Sequence, residues 1–158
     1  MGRIALTGSP VDDTSPLISY APTDAWAHTS GTDAQAYLNQ TYSSTTLEGA
    51  TASFTFNGTG FWIYGAKKPS YGASVLLVDT QVVSYDNCSA PEDQFNQLLA
   101  GTSGLQDGQH VVTFMAGGEM DIDAVKVETS TQEEEQAEFQ ALYVLSSHDI
   151  HGPSPHLP

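Results

Sequence analysis

Between residues 17 and 128 the chain never sustains an apolar run beyond a handful of residues, and Gly, Asn, Asp, Ser or Pro closes each one. An amphipathic helix needs an apolar stripe kept up over several turns, so this punctuation points to many short strands instead. The clearest case is Ala52, Phe54 and Phe56, which alternate with Ser53 and Thr55 and place three apolar side chains on one face. Asn57-Gly58 follows, a pair favoured in tight hairpins because both central residues take positive φ, and it predicts that residues 61–66 return as the second hairpin strand. Runs at 17–20, 37–42, 73–78, 81–85, 94–99, 110–115 and 120–128 bring the count to eight or nine strands. That spacing suits an all-β sandwich of two packed antiparallel sheets.

A length of 158 residues fits one domain with appendages. Residues 1–16 read as a flexible N-terminal arm and 17–129 as the β-sandwich. After Val127 the composition shifts. Ser130 to Glu133 resembles a capping box, and Glu133-Glu134-Glu135 suits the positive end of a helix, so 130–146 reads as an acidic amphipathic helix with Phe139, Leu142 and Tyr143 on one face. Residues 147–158, with three prolines and three histidines, read as a disordered tail whose histidines offer no preformed metal site.

Nineteen acidic residues stand against four basic ones, and a net charge of −15 repels both nucleic acid and anionic membrane surfaces. No apolar stretch approaches the roughly 20 residues a bilayer crossing needs, so membrane insertion is not expected. Three of the four asparagines, Asn39, Asn57 and Asn87, open glycosylation sequons, which implies a secreted or extracellular-surface protein whose signal peptide is missing from this sequence. The single cysteine, Cys88, lies inside a sequon; it is expected in an exposed loop, free or paired between chains, so that Cys88 or the 130–146 helix could support a homo-oligomer.

The stretches 52–67, 72–79, 103–110 and 120–127 resemble the galactose-binding-like jelly roll of discoidin domains and several carbohydrate-binding-module families. With Ile18-Ser19-Tyr20 and Trp26-Ala27-His28 they are also similar to glycosylated ectodomains of uncharacterised basidiomycete surface proteins. The resemblance implies a recognition module, and some relatives carry a structural calcium. Asp121 and Asp123 share strand parity with Val125 and Val127, so both carboxylates should face inward and need either hydrogen bonds or that calcium. Related modules usually add a first-strand Glu, which residues 17–20 lack. Partners from the first-strand backbone, Trp26 or a serine hydroxyl are the alternative to metal.

Trp26, His28, Tyr42, Trp62, Tyr64, Lys67, Lys68 and Tyr71 are the candidate ligand residues, because sugars are held by aromatic faces and loop polar groups. The loop 67–72 holds half of all the basic residues. These rings could equally cover the sheet, with the lysines simply solvated. No standard catalytic signature is present. The expected function is a non-catalytic extracellular module binding a carbohydrate or cell-surface glycoprotein. The alternatives are a protein-interaction or self-associating ectodomain, immunomodulatory in character, and, more distantly, a jelly-roll hydrolase or lyase using Asp121, Asp123 or His28. No cofactor is expected beyond the calcium.

Overall fold

The computed structural model describes residues 3–4 and 10–129; the expected helix 130–146 and tail 147–158 lie outside the described residues. Within them the chain is almost entirely β: β1 Arg3–Ile4, β2 Val11–Asp12, β3 Ser19–Ala21, β4 Trp26–Ser30, β5 Thr41–Thr45, β6 Thr51–Gly58, β7 Gly60–Lys67, β8 Ala73–Val78, β9 Gln81–Asn87, β10 Gln94–Thr102, β11 Gly108–Ala116, β12 Met120–Ile122 and β13 Ala124–Glu128. A six-stranded sheet runs β1-β6-β11-β8-β9, with β3 also on β6. Opposite it lies a four-stranded sheet, β10-β7-β13-β2, and a three-stranded one, β12-β5-β4, completes the fold. All pairings are antiparallel except β1 with β6.

Period-two alternation is the origin of the core. Phe54 and Phe56 from β6, Phe61 and Ile63 from β7, Leu76 from β8 and Phe114 from β11 are all buried, and Phe54, Phe56 and Phe61 meet ring to ring at 5.5–6.2 Å. Each such side chain contributes about 1.5–3 kcal/mol by leaving water. The alternate residues, Trp62 and Tyr64 on β7 and Val75 and Leu77 on β8, point outward.

The expected hairpin at Asn57-Gly58 does not form. β6 and β7 belong to different sheets, and the chain crosses between them through Gly58, Thr59 and Gly60. The glycines serve close approach: a Cβ on Gly58 would overlap the Glu128 carbonyl oxygen, and one on Gly60 would come 2.8 Å from the Thr102 carbonyl. The tight two-residue turn lies instead at Asp79-Thr80, both at positive φ, between β8 and β9. The expected looseness of 1–16 does not extend to its end, because β2 pairs with β13 and Asp13 is buried.

Candidate functional site

Three groups collect the candidate residues. On the outer face of the four-stranded sheet, Trp62 and Tyr64 stand half-buried on β7. The Trp62 ring lies over β10, where a Cβ on Gly101 would meet it at 2.5 Å, so glycine there lets the indole lie flat. Its Nε1 donates to Glu128 Oε1 at 3.0 Å, and Lys126 Nζ sits 5.6 Å over the Tyr64 ring. Beside Tyr64 opens a groove of about 220 Å³, walled by Pro10, Leu38, Asn96, Asp123 and Lys126.

At the loop end of the sandwich, Lys68 Nζ lies 5.5–5.9 Å from the rings of Tyr37, Tyr42, Tyr71 and Phe95. Four aromatic faces around one ammonium make a cation–π cage already filled by the protein's own lysine. Tyr71 is buried, and Tyr42 stacks on Tyr37 at 4.1 Å, so this group consolidates the loops. Lys67 is half-buried and is not among the cations over these rings.

The third group surrounds His28. Trp26 is buried, its Nε1 donating to the Ala21 carbonyl at 3.3 Å, so its ring is not offered to a ligand. His28 is exposed, with Nδ1 2.7 Å from Ser43 Oγ, and Ser43 in turn donates to Asp13 Oδ2 at 2.7 Å. The serine separates His28 from the acid and is itself fully buried. It is therefore not a solvent-facing nucleophile.

Asp121 and Asp123 are both buried, as expected, but so are Met120, Ile122 and Ala124 of the opposite parity, and the two acids do different things. Asp121 Oδ2 accepts the hydroxyls of Tyr37 and Tyr71, and Oδ1 accepts the Ala66 N–H at 2.8 Å. Burial pushes its carboxyl up, and these three donors pull it back. Asp123 interrupts the strand between β12 and β13, where the Leu38 N–H donates to it at 3.0 and 3.1 Å. Burial pushes Asp123 up to about 6, with Asp13, Asp12 and Asp121 adding repulsion. The donors are thus tyrosine hydroxyls and the Ala66 and Leu38 backbone rather than the first strand, Trp26 or a serine.

Carboxylate oxygens of Asp12, Asp13 and Asp123 lie within 4.8 Å of one another, a grouping that excludes Asp121. Thr41 Oγ1 donates across it, to Asp13 Oδ1 at 2.6 Å and to Asp12 Oδ2 at 3.0 Å. Among the described residues no lysine or arginine forms an ion pair with any of the three. Hard oxygen donors clustered without a counter-charge fit calcium, and Asp12, Asp13 and Asp123 would hold it, not the Asp121–Asp123 pair read from the strand. The missed partners were legible only as the Asp12-Asp13 doublet.

Cys88 is also corrected: it is fully buried, 3.9 Å from Ser74 Oγ, and is not available for a bond between chains. The sequon asparagines Asn39, Asn57 and Asn87 are all exposed.

Among solved structures, the chain is similar to a family 6 carbohydrate-binding module, with 11% identity and a TM-score of 0.53 over 77% of this chain and 94% of the module. The likeness is one of fold. It extends to the Agl-KA catalytic domain (12% identity, TM-score 0.50) over 76% of this chain. A cycloisomaltooligosaccharide glucanotransferase from Paenibacillus sp., complexed with cycloisomaltoheptaose, also matches (12% identity, TM-score 0.52) over 75% of this chain. The match spans only 27% and 18% of those two longer chains. No protein-family model and no curated protein matches the sequence.

Proposed function

We propose that this domain is an extracellular, non-catalytic module that binds a neutral cell-wall or glycoprotein glycan across the outer face of its four-stranded sheet. The observation that carries the reading is the pair Trp62 and Tyr64, half-buried on one strand face beside a groove that adds Lys126 and Asn96. Flat apolar rings meet the C–H face of a pyranose, while an ammonium and an amide serve its hydroxyls. The charge of −15 favours a neutral ligand over an acidic one. A binding role, rather than a catalytic one, is supported by the carboxylates: Asp121 is spoken for by two tyrosines, and Ser43 intervenes between His28 and Asp13. The fold neighbours include a carbohydrate-binding module, which agrees with this use of the scaffold.

The test is affinity electrophoresis and calorimetry against a panel of neutral polysaccharides. Trp62→Ala and Tyr64→Ala should each weaken binding roughly tenfold, the loss of one ring contact. Absence of binding to every glycan by the folded protein, or binding that survives both substitutions, overturns the assignment.

A further inference from the structure

The outer face of the six-stranded sheet is unusually apolar for a surface. Val82 is 49% exposed, Tyr85 77% and Val111 43%, and they border the half-buried Val75, Leu77 and Met115. The register sets Tyr85 beside Val75, Val82 beside Leu77, and Val111 two residues before Thr113, itself beside Leu77. A contiguous apolar patch of this kind normally has an occupant.

Two of the sequons open onto the same face. Asn57 is exposed and shares parity with the half-buried Ser53 on β6, with the buried Thr55 between them, and Asn87 shares outward parity with Tyr85 on β9, so the asparagines mark opposite corners of the patch. Tyr85 and Asn87 are two residues apart on one strand face, about 6.6 Å in rise, which is within reach of a sugar joined to the amide. The Asn87 side chain is held, because its Oδ1 accepts the Ser89 N–H at 3.0 Å and leaves Nδ2 as the free end.

We propose that Asn87 is an N-glycosylated residue whose first N-acetylglucosamine packs on the Tyr85 ring, so that carbohydrate, not a second protein, covers the apolar face of the six-stranded sheet. The proposal rests on the extracellular part of the reading above. In the transfer, Asn87 Nδ2 bonds to the anomeric carbon of a lipid-diphosphate-linked oligosaccharide. The bond from that carbon to the diphosphate oxygen breaks, the lipid diphosphate leaves with the electron pair, and one amide proton passes to the transferase. The apolar face of the sugar then meets a ring that is otherwise in water, the same complementarity that lets aromatics bind sugars elsewhere. A glycan at Asn57 would close the opposite corner. Self-association through this face is opposed by both glycans and by the charge of −15.

The chain, secreted from a eukaryotic host and trimmed by endoglycosidase to single N-acetylglucosamines, is compared with Ser89→Ala and Asn87→Gln, which remove the sequon, each with and without Tyr85→Ser. Mass spectrometry should find Asn87 occupied. The attached sugar should raise Tm by about 2–4 °C over both sequon-less variants, and the gain should vanish in the Tyr85→Ser background. Three results overturn the proposal: occupancy at Asn39 or Asn57 with Asn87 bare, an equal Tm gain with and without Tyr85, or a glycosylated dimer that Tyr85→Ser dissociates. Only if all three asparagines are bare does the secreted reading fall with it.

Discussion

Tyr71 donates its hydroxyl to Asp121 Oδ2 at 2.6 Å, joining the loop after β7 to β12 through a carboxylate with no exposed surface. Tyr37 donates to the same oxygen, and burial together with the Asp121 charge pushes both phenols far above their ordinary range. Tyr71→Phe removes one of three donors and should cost about 1–3 kcal/mol. Asp121→Ala strands two buried hydroxyls and opens a cavity, and should cost roughly 3–5 kcal/mol. Urea denaturation reads both, and a Tyr71→Phe protein within about 0.5 kcal/mol of wild type would contradict the lock.

Asp123 gives stability an inverted pH dependence. Its ordinary value is 3.8 and its folded value about 6, so between these the unfolded chain gives up the proton first while the native state retains it. Stability from this group therefore falls as pH rises from about 4 to about 6 and is level above that. Burial raises Asp13 and Asp121 in the same sense. A cation among Asp12, Asp13 and Asp123 would remove the penalty at neutral pH. Millimolar calcium should raise Tm at pH 7, a chelator should reverse it, and Asp123→Asn should flatten both the calcium response and the acid-side slope. A Tm indifferent to calcium at pH 7 would dismiss the ion.

Much of this was legible from residue order, and the remainder had identifiable reasons for being hidden. Parity on a single strand marks Phe54 and Phe56 as inward, because side-chain alternation is local, but it does not set Asp121 and Asp123 apart, since every residue from Met120 to Val125 is buried. It could not say which neighbours meet a buried acid. Asp12, Asp13, Leu38 and Asp123 come from three separate stretches of chain and converge only after the sheets close. Trp26–Ser30 gives no alternation signal, because β4 carries only one buried apolar residue, with Ala27 and His28 exposed. Tyr71 and Lys68 sit in a loop, where alternation gives no direction, and their mutual contact emptied the ligand role that composition suggested.

His110 holds two acceptors at once: Asp79 Oδ2 lies 2.7 Å from Nδ1 and the Gln106 carbonyl 2.6 Å from Nε2. Both ring nitrogens donate only in the imidazolium. Burial beside Phe56 works against the charge, but Asp79, the Gln106 carbonyl and Asp107 outweigh it and raise the histidine above 6.5. A raised histidine stabilises below its unfolded value and loses that contribution as pH climbs through the folded one. Proton NMR should place the His110 midpoint above 6.5 and Asp79→Asn should bring it down. A midpoint below 6.5 in wild type would show that burial wins.

Gly58 separates the crossing from the hairpin that Asn57-Gly58 suggests. In a hairpin the glycine would be needed for positive φ, and alanine would cost about 1–2 kcal/mol in strain. Gly104 is that kind of position, at φ +75° with open space around it. Gly58 is not at positive φ, yet a Cβ there would strike the Glu128 carbonyl oxygen, which is backbone and cannot rotate aside. Thr59 N–H donates to that same carbonyl at 2.9 Å, so any retreat of β13 also breaks the bond that fastens the crossing. Gly58→Ala should therefore cost well more than Gly104→Ala in urea denaturation. Equal losses at the two positions would mean that the chain turns at Gly58 instead of passing from one sheet to the other.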